Sequence, residues 1–310
     1  MITTVTLNAS IDKAYHMKEE IEYGKVMRVS SCHNSAGGKG LNVARIVKLC
    51  GSNVITTGFV GGFNGLYLED LLDNDNIPHN FFHAESETRS CINILDKKYG
   101  STEFLESGRT ILDKEVKAFL EDTYLQSIEN SSVVTLSGSV PSGLGEDIYL
   151  QMINIAKAHG KKVILDTSGD FLKEGIKAGP TMIKPNKDEI ENLFGVKLKS
   201  IEDVKKYGLK LHQMGIPIVV ISLGSKGAMM VCDEGIFISS SPKLSVVNTV
   251  GCGDSMVGAF AVAMEKGFDL RKSLKYAVSV ASANAMSLNT GDFDIKCQKE
   301  IYENTSIEKM

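Results

Sequence analysis

Several familiar protein classes are excluded by what the chain lacks. Among 310 residues there are only 6 prolines and 6 cysteines. Cys32, Cys50, Cys91, Cys232, Cys252 and Cys297 are scattered, with no C-x-x-C pair, so no disulfide framework is indicated. They read as reduced thiols, mostly buried. The 6 histidines form no Cys/His cluster, which argues against a structural zinc site. No apolar run approaches the roughly 20 residues needed to span a bilayer. The opening residues, Met1 to Leu7, carry neither a basic leader nor a signal-peptide core, so a cytoplasmic protein without membrane contact is expected. Neither sign of charge dominates. The 34 basic and 38 acidic residues leave a net charge of −4, which argues against nucleic acid as the main partner. The chain has no G-x-x-x-x-G-K-[ST] run and no H-R-D or D-F-G triplet, so it is neither a P-loop NTPase nor a protein kinase.

What is present is an ordinary globular composition, 43% hydrophobic and 23% charged, in a chain long enough to bury its own core. No repeat or linker interrupts it, and a single domain over residues 1–310 is expected. Thr4–Leu7, Val54–Val60, Val133–Leu136, Val163–Leu165 and Ile218–Leu223 read as short strands, the last three β-branched as buried parallel strands should be. Helical patterns over 41–49, 66–72, 113–127, 146–158, 200–214, 254–266 and 270–288 alternate with them. That alternation predicts an α/β fold, a parallel sheet covered by helices on both faces. Two segments break the rhythm. Ser90–Asp96 and Thr102–Leu105 flank Lys97-Lys98-Tyr99-Gly100 as a hairpin, and about 11–35 is polar and strand-like. Together, at about 11–36 and 88–106, they predict a small β lid over the carboxyl ends of the main strands, where α/β sheets bind ligands.

Two glycine-rich segments carry chemistry. In Asn248-Thr249-Val250-Gly251-Cys252-Gly253-Asp254 the glycines permit a tight turn, and the helix that follows offers free N–H groups and a positive dipole end. Such a turn suits a phosphate in transfer. Asp254 would repel a phosphate that merely binds there. It makes sense as a base taking a hydroxyl proton beside it, or as a helix N-cap, and the two roles are compatible. In Ala36-Gly37-Gly38-Lys39-Gly40-Leu41-Asn42, Lys39 and Asn42 lie three apart at a helix start and can both point at one ligand; the other reading is a glycine-rich loop with a solvated lysine.

The pair of segments resembles the two signatures of the ribokinase/phosphofructokinase-B family of sugar kinases. Further matches cover nearly the whole chain: Thr6–Asp12, Ser137–Gly143, Lys184-Pro185-Asn186-Lys187-Asp188-Glu189 and Ser222–Ala228. The resemblance implies a ribokinase-like fold, with a central mostly parallel sheet, helices on both faces and a small β lid. It implies ATP and Mg²⁺ as cofactors and a homodimer built through lid strands. Ala9 stands where many members have Pro, and Cys252 where most have Ala or Ser; both are small enough to keep the turns.

The resemblance assigns Asp254 as catalytic base and the backbone of Gly251, Cys252 and Gly253 as holder of the transferring phosphate. Asp12, Gly37, Gly38, Lys39 and Asn42 form its sugar site. Lys184, Ser222, Gly224 and Gly227 approach the ATP phosphates and ribose, with Ala283 and Asn284 at the adenine. Asn186 and Glu189 order magnesium through water. A sugar that arrives phosphorylated needs cations, and Arg89, Lys25 and Arg28, with Ser139 as hydroxyl donor, are expected to supply the clamp. Cys252, at a helix start where a thiol pKa can fall, is read as a spacer. The implied branch phosphorylates a ketohexose monophosphate. Thr88–Ile92 and Asn289–Gly291 lean to tagatose 6-phosphate over fructose 1-phosphate, with fructose 6-phosphate as a secondary substrate. A kinase of an unphosphorylated sugar or nucleoside, and a silent sugar-phosphate sensor, are the rival readings.

Overall fold

The computed structural model describes every residue except Lys97 and Tyr99, so half of the expected hairpin turn at 97–100 lies outside the described residues. The strands are β1 (Ile2–Thr6), β2 (Ser10–His16), β3 (Ser31–Gly37), β4 (Val54–Val60), β5 (Phe82–His83), β6 (Arg89–Asp96), β7 (Gly100–Leu105), β8 (Val133–Ser137), β9 (Lys162–Asp166), β10 (Met182–Ile183), β11 (Ile218–Ser222), β12 (Ala228–Cys232), β13 (Gly235–Ser240) and β14 (Ser306–Lys309). Ten form the main sheet, in the order β14-β13-β12-β11-β10-β9-β8-β1-β4-β5.

From β11 to β5 the neighbours are parallel, as the alternation predicts. Their side chains divide between two cores. Ile164 joins the one under the Lys39–Leu49, Cys252–Glu265 and Leu270–Met286 helices, and Val163 and Leu165 join the other. Apolar residues on both faces are why these strands read as continuous hydrophobic runs. The sheet departs from expectation at one end, where β11, β12, β13 and β14 pair antiparallel. Only a short turn, Gly224–Lys226, joins β11 to β12, far too little chain for a parallel crossover. The helix expected over 113–127 is Asp113–Ala118 and Tyr124–Ile128 joined by a π-turn over Phe119–Thr123.

The chain runs from β1 outward to β4 on one side and later returns to place β8 on the other. A crevice therefore opens at the carboxyl ends of β1 and β8, the switch point of the sheet. Above it stands the second sheet, β3-β2-β6-β7, in which β2 and β6 are parallel. Alternation turns Asp12, Ala14, Cys91 and Asn93 toward the crevice. The expected lid is present, but 17–30 is a loop between β2 and β3 rather than strand.

Candidate active site

A cleft of about 1640 Å³ lies between the two sheets. Its floor is where the parallel strands end, and a strand's last residue can point out of the sheet there. Asp166 at the end of β9, Lys184 just after β10 and Ser222 at the end of β11 all line it.

The Cys252–Glu265 helix points its N-terminus into this cleft. Gly251 precedes it at φ +78°, and a Cβ there would lie 2.6 Å from Thr290 Cγ2, so the turn requires glycine. Asp254 follows in the first turn, 6% exposed, and its Oδ2 accepts a hydrogen bond from Asn42 Nδ2 at 2.8 Å. Burial pushes the Asp254 carboxyl up to about 6, and the Asp166 charge pushes the same way. The Asn42 hydrogen bond and the Lys39 and Lys184 ammoniums oppose them. The result is a carboxylate that is ionised at neutral pH yet basic enough to take a proton.

Asp166 is the site residue that sequence reasoning missed. Its carboxylate is buried and accepts no hydrogen bond among the described residues. Lys184 Nζ stands 3.1 Å from Oδ1 and Lys39 Nζ 3.8 Å from Oδ2, both without hydrogen-bond alignment. The Asp166 charge holds the Lys39 ammonium above its ordinary value against burial. The signal was available: Val163–Leu165 is a strand and an acid ends it, as with Asp12 after the opening strand.

Asn186 and Glu189 cap the Lys187–Phe194 helix reciprocally. Asn186 Oδ1 accepts from Glu189 N–H, and Glu189 Oε2 from Asn186 N–H, both at 2.8 Å. Both residues line the cleft, and burial raises the Glu189 carboxyl. Among the described residues no group of three His, Cys, Asp or Glu is placed to hold a metal by itself.

At the lid end, Asp12 Oδ1 accepts from Ser10 Oγ at 2.6 Å, and burial raises its carboxyl against the pull of Ser10, Arg89 and Arg45. A Cβ on Gly37 would come within 2.0 Å of that carboxylate, which explains the glycine. Gly38, Lys39, Asn42, Arg89 and Ser139 line the same cleft, as do Ser222, Gly251 and Gly253. Arg89 spends much of its fork on the backbone: Nε and Nη2 donate to Asn8 O, and Nη1 to Glu106 O. Ser139 Oγ accepts from Asn8 Nδ2 at 3.2 Å.

Other expected residues are not brought to the cleft. Lys25 and Arg28 are exposed on the 17–30 loop, and Lys25 pairs with Glu22. They miss because the loop carries them away from the lid strands. Gly224 and Gly227 sit in the β11–β12 turn outside the lining, and a Cβ on Gly227 would meet Ser239 O at 1.9 Å, a packing reason for that glycine. Ala283 and Asn284 are buried in the Leu270–Met286 helix. Asn284 Nδ2 donates to Val250 O at 3.0 Å and its Oδ1 accepts from Gly291 N–H at 3.0 Å, so its amide braces the turn before Gly251. Cys252 does not line the cleft, and burial pushes its thiol up, the reverse of a helix-start activation.

A buried carboxylate beside a helix N-terminus that favours an anion suits the transfer of a phosphoryl group onto a hydroxyl. The model of the pfkB family carbohydrate kinases matches residues 5–296, and the chain belongs to that family. It is thus an ATP-dependent phosphotransferase. It is 36% identical to the 1-phosphofructokinase of Bacillus subtilis (strain 168) over 291 residues, 94% of each chain. It is also 36% identical to a tagatose-6-phosphate kinase of Staphylococcus epidermidis over 312 residues, 99% of each. The phosphofructokinase-2 of Escherichia coli in complex with fructose-6-phosphate has the same fold, with a TM-score of 0.89 and 28% identity over 97% of this chain and 98% of that one. No helix among the described residues is long and apolar enough to cross a membrane.

Proposed function

We propose that the protein transfers the terminal phosphate of ATP to a ketohexose monophosphate, giving a bisphosphate, with tagatose 6-phosphate as the preferred acceptor. The observation that carries this reading is the buried Asp254 carboxylate at the N-terminus of its helix, held by Asn42 at 2.8 Å. Asp12 and Asn42 orient the sugar and Asp254 takes the proton of the attacking hydroxyl. The Gly251–Gly253 backbone and the Lys39 and Lys184 ammoniums face the transferring group, where charge must be balanced. Fructose 1-phosphate is the second reading, supported by the equal identity to the 1-phosphofructokinase.

The donor set suits magnesium that arrives with the nucleotide. Mg²⁺ keeps several waters and takes one or two carboxylates plus phosphate oxygens. The unbonded Asp166 oxygens and the one Glu189 oxygen left outside the cap offer that much. Asn186 fixes Glu189 for this task. When bound, the ion would neutralise charge on the phosphates. The protein would work in the cytoplasm as a homodimer through its lid strands, whose loop and outer face expose Tyr23, Val26 and Phe104.

The test is ADP release with MgATP and a panel of tagatose 6-phosphate, fructose 1-phosphate, fructose 6-phosphate, free fructose and ribose, compared by kcat/KM. A lead of about tenfold for tagatose 6-phosphate supports the proposal. Turnover of free sugars alone overturns it.

A further inference from the structure

Arg45 lies one turn beyond Asn42 on the Lys39–Leu49 helix, in the lining of the cleft. Its side chain is 17% exposed and each arm of its fork is engaged. Nη1 donates to Asn42 Oδ1 at 3.1 Å, Nη2 to Ala36 O at 2.5 Å, and Nε to Asp75 Oδ2 at 3.4 Å. Asn42 in turn donates through Nδ2 to Asp254 Oδ2. A guanidinium has donors only, and an ionised carboxylate acceptors only. The amide between them therefore has one acceptable orientation, with its carbonyl toward Arg45 and its N–H toward Asp254.

We infer that Arg45 is a positioning residue for phosphoryl transfer: it locks the Asn42 amide so that Asp254 is held through Oδ2 and keeps Oδ1 for the acceptor hydroxyl. Oδ1 takes no hydrogen bond from the described residues. The ion pair with Asp75 does not account for Arg45, because Asp75 is 48% exposed and such pairs contribute little. The bond to Ala36 O anchors the guanidinium itself, so that Nη1 is aimed at Asn42 Oδ1. This rests on the reading of Asp254 as base, and the test separates the two.

Four variants are compared with MgATP and the best sugar phosphate: Arg45→Met, which keeps the aliphatic stem, Asn42→Ala, their combination, and Asp254→Asn. Arg45→Met is expected to lower kcat about tenfold with sugar-phosphate KM within about twofold, a hydrogen bond's worth of positioning. On the Asn42→Ala background the same change should cost less than about twofold, since Arg45 then has nothing to orient. Additive losses, or a KM rise at unchanged kcat, overturn the proposal; the latter would mean that Arg45 grips the substrate directly. If Arg45→Met does not fold, Arg45→Lys enters the same cycle, because an ammonium cannot span both Asn42 Oδ1 and Ala36 O. Normal turnover of Asp254→Asn defeats the reading of the base itself, whatever the cycle gives.

Discussion

The two ends of the cleft are built differently. At the transfer end, Asp254, Asp166 and Lys184 are all 6% exposed or less and are held by strand ends and a helix N-terminus. Their charges balance one another in a poorly solvated space. At the lid end the groups are partly exposed and act through hydrogen bonds. Asp12 is steadied by Ser10, and Arg89 by the carbonyls of Asn8 and Glu106. Buried charge is costly unless paired, so the transfer end tolerates little change. The lid end can be retuned one contact at a time. The proposed function places the chemistry in the first and the choice of sugar in the second.

The sharpest way to break that contrast is Asp166→Asn. It leaves Lys39 and Lys184 without their common counter-charge, and kcat/KM for MgATP should fall on the order of 10²-fold. It also removes a charge that raises the Asp254 carboxyl, pushed up to about 6 in the parent. A lost negative neighbour makes ionisation easier, so the acid limb of the pH–rate profile should move to lower pH. A limb that stays in place would assign the titration to the substrate phosphates. Next comes Gly251→Ala, which forces a side chain into φ +78° and against Thr290. The strain is about 1–3 kcal/mol, and a kcat loss of about tenfold or more with sugar KM unchanged is expected in steady-state assays. At the lid end, Arg89→Ala should act mainly on sugar-phosphate KM, raising it about tenfold. Lys25→Ala and Arg28→Ala, outside the cleft of their own chain, should each change it less than about twofold. Equal effects of all three would erase the distinction between cleft and loop.

Much of the transfer end could be read from the sequence because its signals are local. Gly251, Gly253 and Asp254 stand within four residues, and Gly37 to Asn42 open a helix. The parallel strands were legible as apolar runs. Asp166 was only half legible: an acid ending a short strand is a signal, but it has no glycine signature, and its meaning comes from Lys184 just after the next strand and from Lys39, far away in the chain. The amide of Asn284 was not legible for a related reason. A resemblance places it near a ligand but does not give its bonds to the backbone of Val250 and Gly291. The lid was legible as a sheet, while the 17–30 loop was absorbed into it by its polar composition. The β12–β14 edge was hidden because the Ser222–Ala228 turn was read for chemistry alone.

The central claim is that Asp254 takes the proton of the acceptor hydroxyl. The direct test is single-turnover phosphoryl transfer by Asp254→Asn, with nucleotide affinity and melting temperature measured on the same sample. Positioned proton transfer contributes about 10²–10⁴ in rate, so the variant should lose at least the lower figure and still bind ATP. The parent carboxyl is raised from 3.8 to about 6 on folding, so ionising it at pH 8 costs stability, on the order of 3 kcal/mol. The variant should therefore melt no lower than the parent at that pH. Transfer within a few-fold of the parent rate would contradict the account.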